Sequence, residues 1–226
     1  MTTIGPLYDK KCICPLCTAH FTTKKMRSRF IKAKGFDSDF FPFYEEHNPT
    51  LYYVNVCPLC GFAYSDEAEI RLKEAEKAIL IKNISSNWVP QNFGETRTIG
   101  DSIKTYKLAA YAGILRNDRH IAIAGLYIRL AWLYRLLEDR NEETRFMQLA
   151  LAQYELSYST GDFLGTQVSE LKTLYLAGEL SRRTQKIEKA VKYFSKVIEQ
   201  QSRTVETKII SLAKDGWHKI RELQQA

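Results

Sequence analysis

Over its last hundred residues the chain repeats apolar side chains at every third or fourth position, in five stretches numbered 121–139, 142–160, 167–183, 186–202 and 205–224. That period is the signature of helices that bury one face. A sixth helix is predicted over 98–117. A seventh is predicted from a cap at Asp66, with Glu69 at the third position and Ala68, Leu72, Ala75 and Ile79 at helical spacing, ending near Asn83. Between the last two lie the turn formers of residues 85–94. The first third reads differently. Lys25, Arg27 and Arg29 alternate with Met26 and Phe30 along 22–34, and 51–56 is a β-rich run, so both stretches are expected to be strands. The pattern predicts a mainly α protein with a small β module in front. The expected division is 1–65 for that module, 66–97 for a connecting helix and loop, and 98–226 for a helical domain.

The short connections between the predicted helices make successive ones antiparallel neighbours. Leu174, Gly178, Ala190 and Phe194 match the small and aromatic positions of a tetratricopeptide unit, with Gly178 twelve residues before Ala190 and Phe194 four after it. The preceding pair offers Tyr127, Ala131, Tyr134 and Ala150, but Glu143 stands in its small-residue slot. Helical-repeat packing of antiparallel pairs is therefore the expected fold of the second half, with a plain bundle as the alternative. Ile209, Leu212, Ala213, Trp217 and Ile220 share one face of the last helix, which is expected to close the array.

Cysteine spacing brings in the chemistry. Cys14-Pro-Leu-Cys17 and Cys57-Pro-Leu-Cys60 are one tetrapeptide used twice, each setting two sulfurs on a tight turn, and four thiolates complete a tetrahedron around zinc. Gly61 follows the second pair and can take the positive φ that such a turn needs, whereas Thr18 stands in that place after the first. The 39 residues between the pairs are a long insert, yet doubling a loop costs only about 0.6 kcal/mol. A zinc ribbon with one structural ion on Cys14, Cys17, Cys57 and Cys60 follows. A redox dithiol competes poorly, because that motif normally occurs once, at a strand end in a βαβ pattern. Cys12 is expected to be a neighbouring free thiol, and His20 and His47 ordinary polar residues, since four cysteines saturate the ion. Asp37-Ser-Asp39 reads as a turn or cap. Phe40, Phe41, Phe43, Tyr44, Tyr52 and Tyr53 are expected to cover the ribbon.

The segment from Cys14 to Ala63 resembles the bacterial domain-of-unknown-function family 2225. The likeness is carried by Cys14-Pro-Leu-Cys17, Thr23-Lys-Lys-Met-Arg-Ser28, Asp37-Ser-Asp-Phe40, Tyr44, Asn48-Pro49, Tyr52-Tyr53 and Val56-Cys-Pro-Leu-Cys-Gly-Phe-Ala63. It covers the first third strongly and the helical remainder in general character. It implies the zinc module, not an activity. The sequence departs from the family pattern at Phe41, where a further cysteine often occurs, and at Thr18, where glycine is commoner.

The formal charge of +7 leaves room for an acidic partner, but the excess sits at the two ends of the chain. Residues 1–65 hold 8 Lys/Arg against 5 Asp/Glu, and four thiolates on a zinc ion add about two negative charges. Six basic residues, Lys24, Lys25, Arg27, Arg29, Lys32 and Lys34, fall within eleven positions and make nucleic acid the alternative partner. The leading expectation is an interaction protein whose helical surface, with Tyr127, Arg129, Tyr134, Arg135, Tyr175 and Arg182, holds a peptide or protein. With neither a phosphate-binding loop nor a nucleophile-and-histidine pairing, no enzyme is expected. Nothing approaches the length of a membrane span, and the amino terminus does not resemble a secretory signal, so a cytoplasmic protein is expected.

Overall fold

The computed structural model describes residues 4–66 and 70–225, without the side chains of 223–225. It is mainly helical, with three two-stranded antiparallel sheets or hairpins near the amino terminus and seven α-helices among the described residues. Two compact units form. One comprises the described residues of Met1–Gly35 and Pro42–Asp118, the other Phe36–Phe41 with the described residues of Arg119–Ala226.

In the first unit β1 (Leu7–Ile13) pairs with β2 (His20–Met26), and β5 (Val54–Val56) pairs with β6 (Ala63–Ser65). The second hairpin of the chain, β3 (Ala33–Phe36) with β4 (Pro42–Tyr44), lies between them in sequence. The alternation expected to run through 22–34 stops at Met26. Arg27 is extended, a single 3₁₀ turn covers Ser28–Phe30, and β3 is a separate strand. β1 has no clear hydrophobic alternation of its own and gains its structure by pairing along the whole of β2.

Helix α1 spans Glu74–Asn83 and α2 spans Ile99–Leu115. α1 begins eight residues later than its predicted cap, because Asp66 is engaged elsewhere, with Lys10, Lys25 and Asn55. Ala68 and Glu69, part of that expected start, lie outside the described residues. At α2 the capping box is present: Thr98 accepts from the Asp101 amide, and Asp101 accepts from the Thr98 amide. The unit is tied together by Arg97, a buried guanidinium that donates to the carbonyls of Leu51, Val54 and Phe93 and to the Thr23 hydroxyl. Four bonds to neutral oxygens replace the water that burial removes, and desolvation still lowers its pKa to about 10.

The second unit contains α3 (His120–Leu136), α4 (Arg140–Thr160), α5 (Glu170–Arg183), α6 (Ile187–Glu199) and α7 (Thr207–Gln225). All five lie close to their predicted positions. Each helix packs on its successor, and α5 also meets α7. Asp139 and Ser169 cap α4 and α5 by accepting from the amides of Glu142 and Lys172, and α4 stops at Gly161 with φ 70°. Phe194 of α6 is fully buried, and a Cβ placed on Gly178 of α5 or Gly216 of α7 would lie 2.8 or 2.7 Å from its ring. Small residues at both positions let α5 and α7 close on one aromatic side chain.

Candidate metal centre

The two Cys-Pro-Leu-Cys turns sit at the tips of two hairpins built to one plan. Ile13 pairs with His20 on either side of the first turn, and Val56 pairs with Ala63 on either side of the second. Within the turns, the Thr18 amide donates to the Cys14 carbonyl at 2.9 Å and the Gly61 amide to the Cys57 carbonyl at 2.9 Å. The Cys14 amide donates to Ala19 and the Cys57 amide to Phe62. Both turns end on a left-handed residue, Thr18 at φ 60° and Gly61 at φ 73°. The sequence supplies glycine for this conformation once, and the β-branched Thr18 adopts it all the same.

The turns bring the sulfurs of Cys14, Cys17, Cys57 and Cys60 within 4.8 Å of one another. Cys14 and Cys60 are 3.6 Å apart, as are Cys17 and Cys57. A disulfide needs about 2.05 Å, so none of these thiols is bonded to another, and each pair joins one turn to the other. An S₄ tetrahedron with bonds of about 2.3 Å has edges of about 3.8 Å, which the two shorter separations approach. The group can hold a metal ion. Without a cation the proton balance is uneven. The hydrogen bond from Cys60 brings the Cys14 thiol down to about 5, burial pushes Cys57 up to about 11, and its bond to Cys14 pushes Cys60 up as well. A dication would balance the charge of thiolates held this close together.

Cys14, Cys57 and Cys60 are buried and Cys17 is exposed. Leu16, Phe62, Leu80, Ile84 and Ala112 pack into one core with the buried three, so α1 and α2 close over the sulfurs. Trp88 is a support that sequence reading did not single out. Its indole N–H donates to the Pro58 carbonyl at 2.9 Å, and its ring lies where a Cβ on Gly61 would be, 2.5 Å away. Its position in a turn-rich loop gave no periodic signal. Cys12 is buried outside the four-sulfur group; its thiol faces the Lys10 carbonyl, and burial raises its pKa. Neither His20 nor His47 joins the group.

The six clustered basic residues do not share one solvent face. Lys25 is buried, donating to the carbonyls of Tyr52 and Tyr53 and pairing with Asp66 at 3.0 Å. Lys24 pairs with Asp9, Arg27 lies over Tyr8 and Arg29 over Phe30, while Lys32 and Lys34 are exposed. Burial pushes the Asp66 carboxyl up, but the bonds from Lys10, Asn55 and Lys25 outweigh it and hold it near 2. The aromatic cover is divided too. Tyr52 is buried in the first unit and Tyr53 stacks on Tyr106, whereas Phe40 and Phe41 belong to the second unit, against Tyr175 and Trp132, and Phe43 is exposed.

Among the residues expected to form the helical contact surface, Tyr134 and Tyr175 are buried, and Tyr134 stacks on Phe146. Tyr127 tilts against the same ring, and Arg129 donates to the Gly125 carbonyl. Arg135 and Arg182 are held by carboxylates, Arg182 by Glu179 and Arg135 by Asp37, Asp39 and Glu143.

Four cysteines on two hairpins, placed so that they could hold a metal ion, followed by a helical body, define the class of this protein. The chain belongs to the family described as "Uncharacterized protein conserved in bacteria (DUF2225)", whose model matches residues 7–220. Neither the curated proteins nor the solved structures provide a match.

Proposed function

We propose that this protein is a non-enzymatic scaffold that binds one structural zinc ion through Cys14, Cys17, Cys57 and Cys60 and holds a peptide or protein partner through tetratricopeptide-like helix pairs. The observation that carries the zinc reading is the sulfur geometry: four thiols from two turns within 4.8 Å, a donor set that saturates zinc and keeps no position for substrate. The packing of α5, α6 and α7 around Phe194 supports the helical-pair reading, and stacked pairs present grooves to partners. No helix among the described residues is long and apolar enough to cross a membrane, which is compatible with work in the cytoplasm. The buried Lys25 and the pairing of Lys24 leave little of a continuous basic face, which counts against nucleic acid as the partner.

Purification without added metal, followed by zinc quantification and titration with labelled single- and double-stranded nucleic acid at two salt concentrations, tests the whole reading. The expected result is about one zinc per chain, in line with the four-thiolate stoichiometry, and no salt-sensitive nucleic-acid binding. Metal-free, stably folded protein would sink the zinc assignment. Tight binding that falls steeply with salt and is lost on K32A and K34A would move the function to nucleic acid.

A further inference from the structure

Phe36–Phe41 belongs to the helical unit, although the residues on either side of it belong to the other unit. The segment is a closed turn. The Asp37 amide donates to the Phe41 carbonyl and the Phe40 amide to the Asp37 carbonyl. The Asp37 carboxylate also accepts from the Ser38 amide, the Asp39 carboxylate accepts from the Phe41 amide, and Phe40 takes φ 63°. Its shape is therefore largely set by its own bonds, as in a preorganised ligand.

Around that turn the helices supply a matched set of groups. Arg135 donates to Asp37 at 3.1 Å and to Asp39 at 2.6 Å, and Arg183 pairs with Asp37 at 2.8 Å. The Trp132 indole donates to Asp39, and the Tyr175 hydroxyl donates to the Ser38 carbonyl at 2.6 Å. Phe40 meets Tyr175 edge-on under Lys172, and Phe41 lies beside Trp132 with Arg135 over its ring. Apart from the segment, Arg135, Arg182, Arg183 and Lys172 stand here against Glu143 and Glu179, an excess of two positive charges. Asp37 and Asp39 supply two negative ones. Arginine clusters with aromatic walls recognise acidic peptide motifs in this manner.

We infer that the helical unit carries a groove for acidic-aromatic peptide segments of the form Asp-x-Asp followed by two aromatic residues, and that Phe36–Phe41 fills it in cis as a displaceable pseudo-ligand. The inference rests on the scaffold reading and names the partner class and the regulation of that surface. A trans segment binds only as often as the cis one leaves, so its apparent affinity is reduced by the open fraction. Weakening the cis segment must then strengthen trans binding.

The test uses the full chain, its D37N/D39N variant, and a fluorescent synthetic peptide spanning residues 34–43. The expected result is binding at least about tenfold tighter to the variant than to the wild type, weakened by salt, absent for a peptide carrying the same two Asn substitutions, and abolished when R135A is added to the variant. A folded variant that ignores the peptide would overturn the inference. If a photo-crosslinker at Tyr127 still captured a protein partner in that case, the scaffold reading would stand alone; loss of both would remove the two together. Should the variant fail to fold, amide exchange in the wild type decides. A displaceable segment requires the Phe40 and Phe41 amides to exchange at least about tenfold faster than amides within α5, because a local opening costs less than unfolding the unit. Exchange at one common rate would make the segment permanent structure, and a dimer that trades the segment between copies would overturn the cis assignment.

Discussion

The four-cysteine site and the acid–arginine cluster each gather charge within one of the two units, yet they settle it in opposite ways. In the helical unit each sign comes from the chain: Asp37, Asp39, Glu143 and Glu179 stand against Arg135, Arg182, Arg183 and Lys172. At the sulfurs the ligating groups are all acids, four thiols within 4.8 Å, packed among Leu16, Phe62, Leu80 and Ile84. The first arrangement is complete without a partner from solution. The second has its counter-charge supplied from outside under the zinc proposal, and the fold of the ribbon is then expected to depend on the metal and on pH.

The sharpest break of this contrast is removal of the ion. A strong chelator, or Cys57→Ser, is expected to destabilise the first unit by on the order of 10 kcal/mol, because the site barely exists in the unfolded chain and metal affinity becomes folding energy. Lowering the pH is expected to have the same effect, since ligation of zinc needs thiolates and protons compete for them. The signals of the Phe62 and Tyr64 region in an NMR spectrum should collapse while those of α3 to α6 persist. Persistence of both regions after verified zinc loss would show that hairpin pairing alone holds the ribbon.

Next in size is Asp39→Asn. Its side chain is fully buried and meets Arg135 and Trp132, and removing one member of a buried pair leaves the other uncompensated, typically at about 3–5 kcal/mol. A loss of about 3 kcal/mol in the unfolding of the helical unit is expected, the low end applying where the segment swings away and Arg135 regains water. Metal content should not change. A thermal midpoint within error of the wild type would mean that the cluster is not holding the segment at all.

A smaller effect separates the two turns. Gly61→Ala would put a methyl group 2.5 Å from the Trp88 ring at a φ of 73°, so overpacking and backbone strain together are expected to cost about 2 kcal/mol. Chelator-induced unfolding should begin at correspondingly lower chelator concentration. An unaffected variant would show that Trp88 moves aside freely and does not clamp the turn.

The same contrast explains what could be read from the chain. Cys14, Cys17, Cys57 and Cys60 were legible because each pair closes over two intervening residues, and the five helices after residue 119 were legible because their apolar period is local. Lys25 was not, since alternation along 22–34 places a lysine on a strand without saying that Asp66, forty-one residues on, will bury it. Asp37 and Asp39 read as a turn, which they do form, but their arginines stand 96 to 146 positions away in sequence and carry no signature. The late start of α1 has the same origin: Asp66 satisfies a cap pattern locally, and two lysines and Asn55 claim it in the folded unit.

Thr18→Gly is the finest test of whether the two turns are equivalent. Thr18 holds φ 60° with its side chain exposed, and its hydroxyl donates to the Cys17 carbonyl at 2.7 Å. A β-branched residue in this region carries strain of about 1–2 kcal/mol. Glycine removes that strain, although the unfolded chain gains freedom worth roughly 0.5–1 kcal/mol. The net gain should be a few tenths to about 1 kcal/mol, read as a slightly higher thermal midpoint of the zinc-bound first unit. If the variant instead lost stability, the threonine hydroxyl would be holding the Cys17 carbonyl in a way that the glycine turn at Cys57 does without. The shared register of the hairpins would then not extend to the way each turn is fixed.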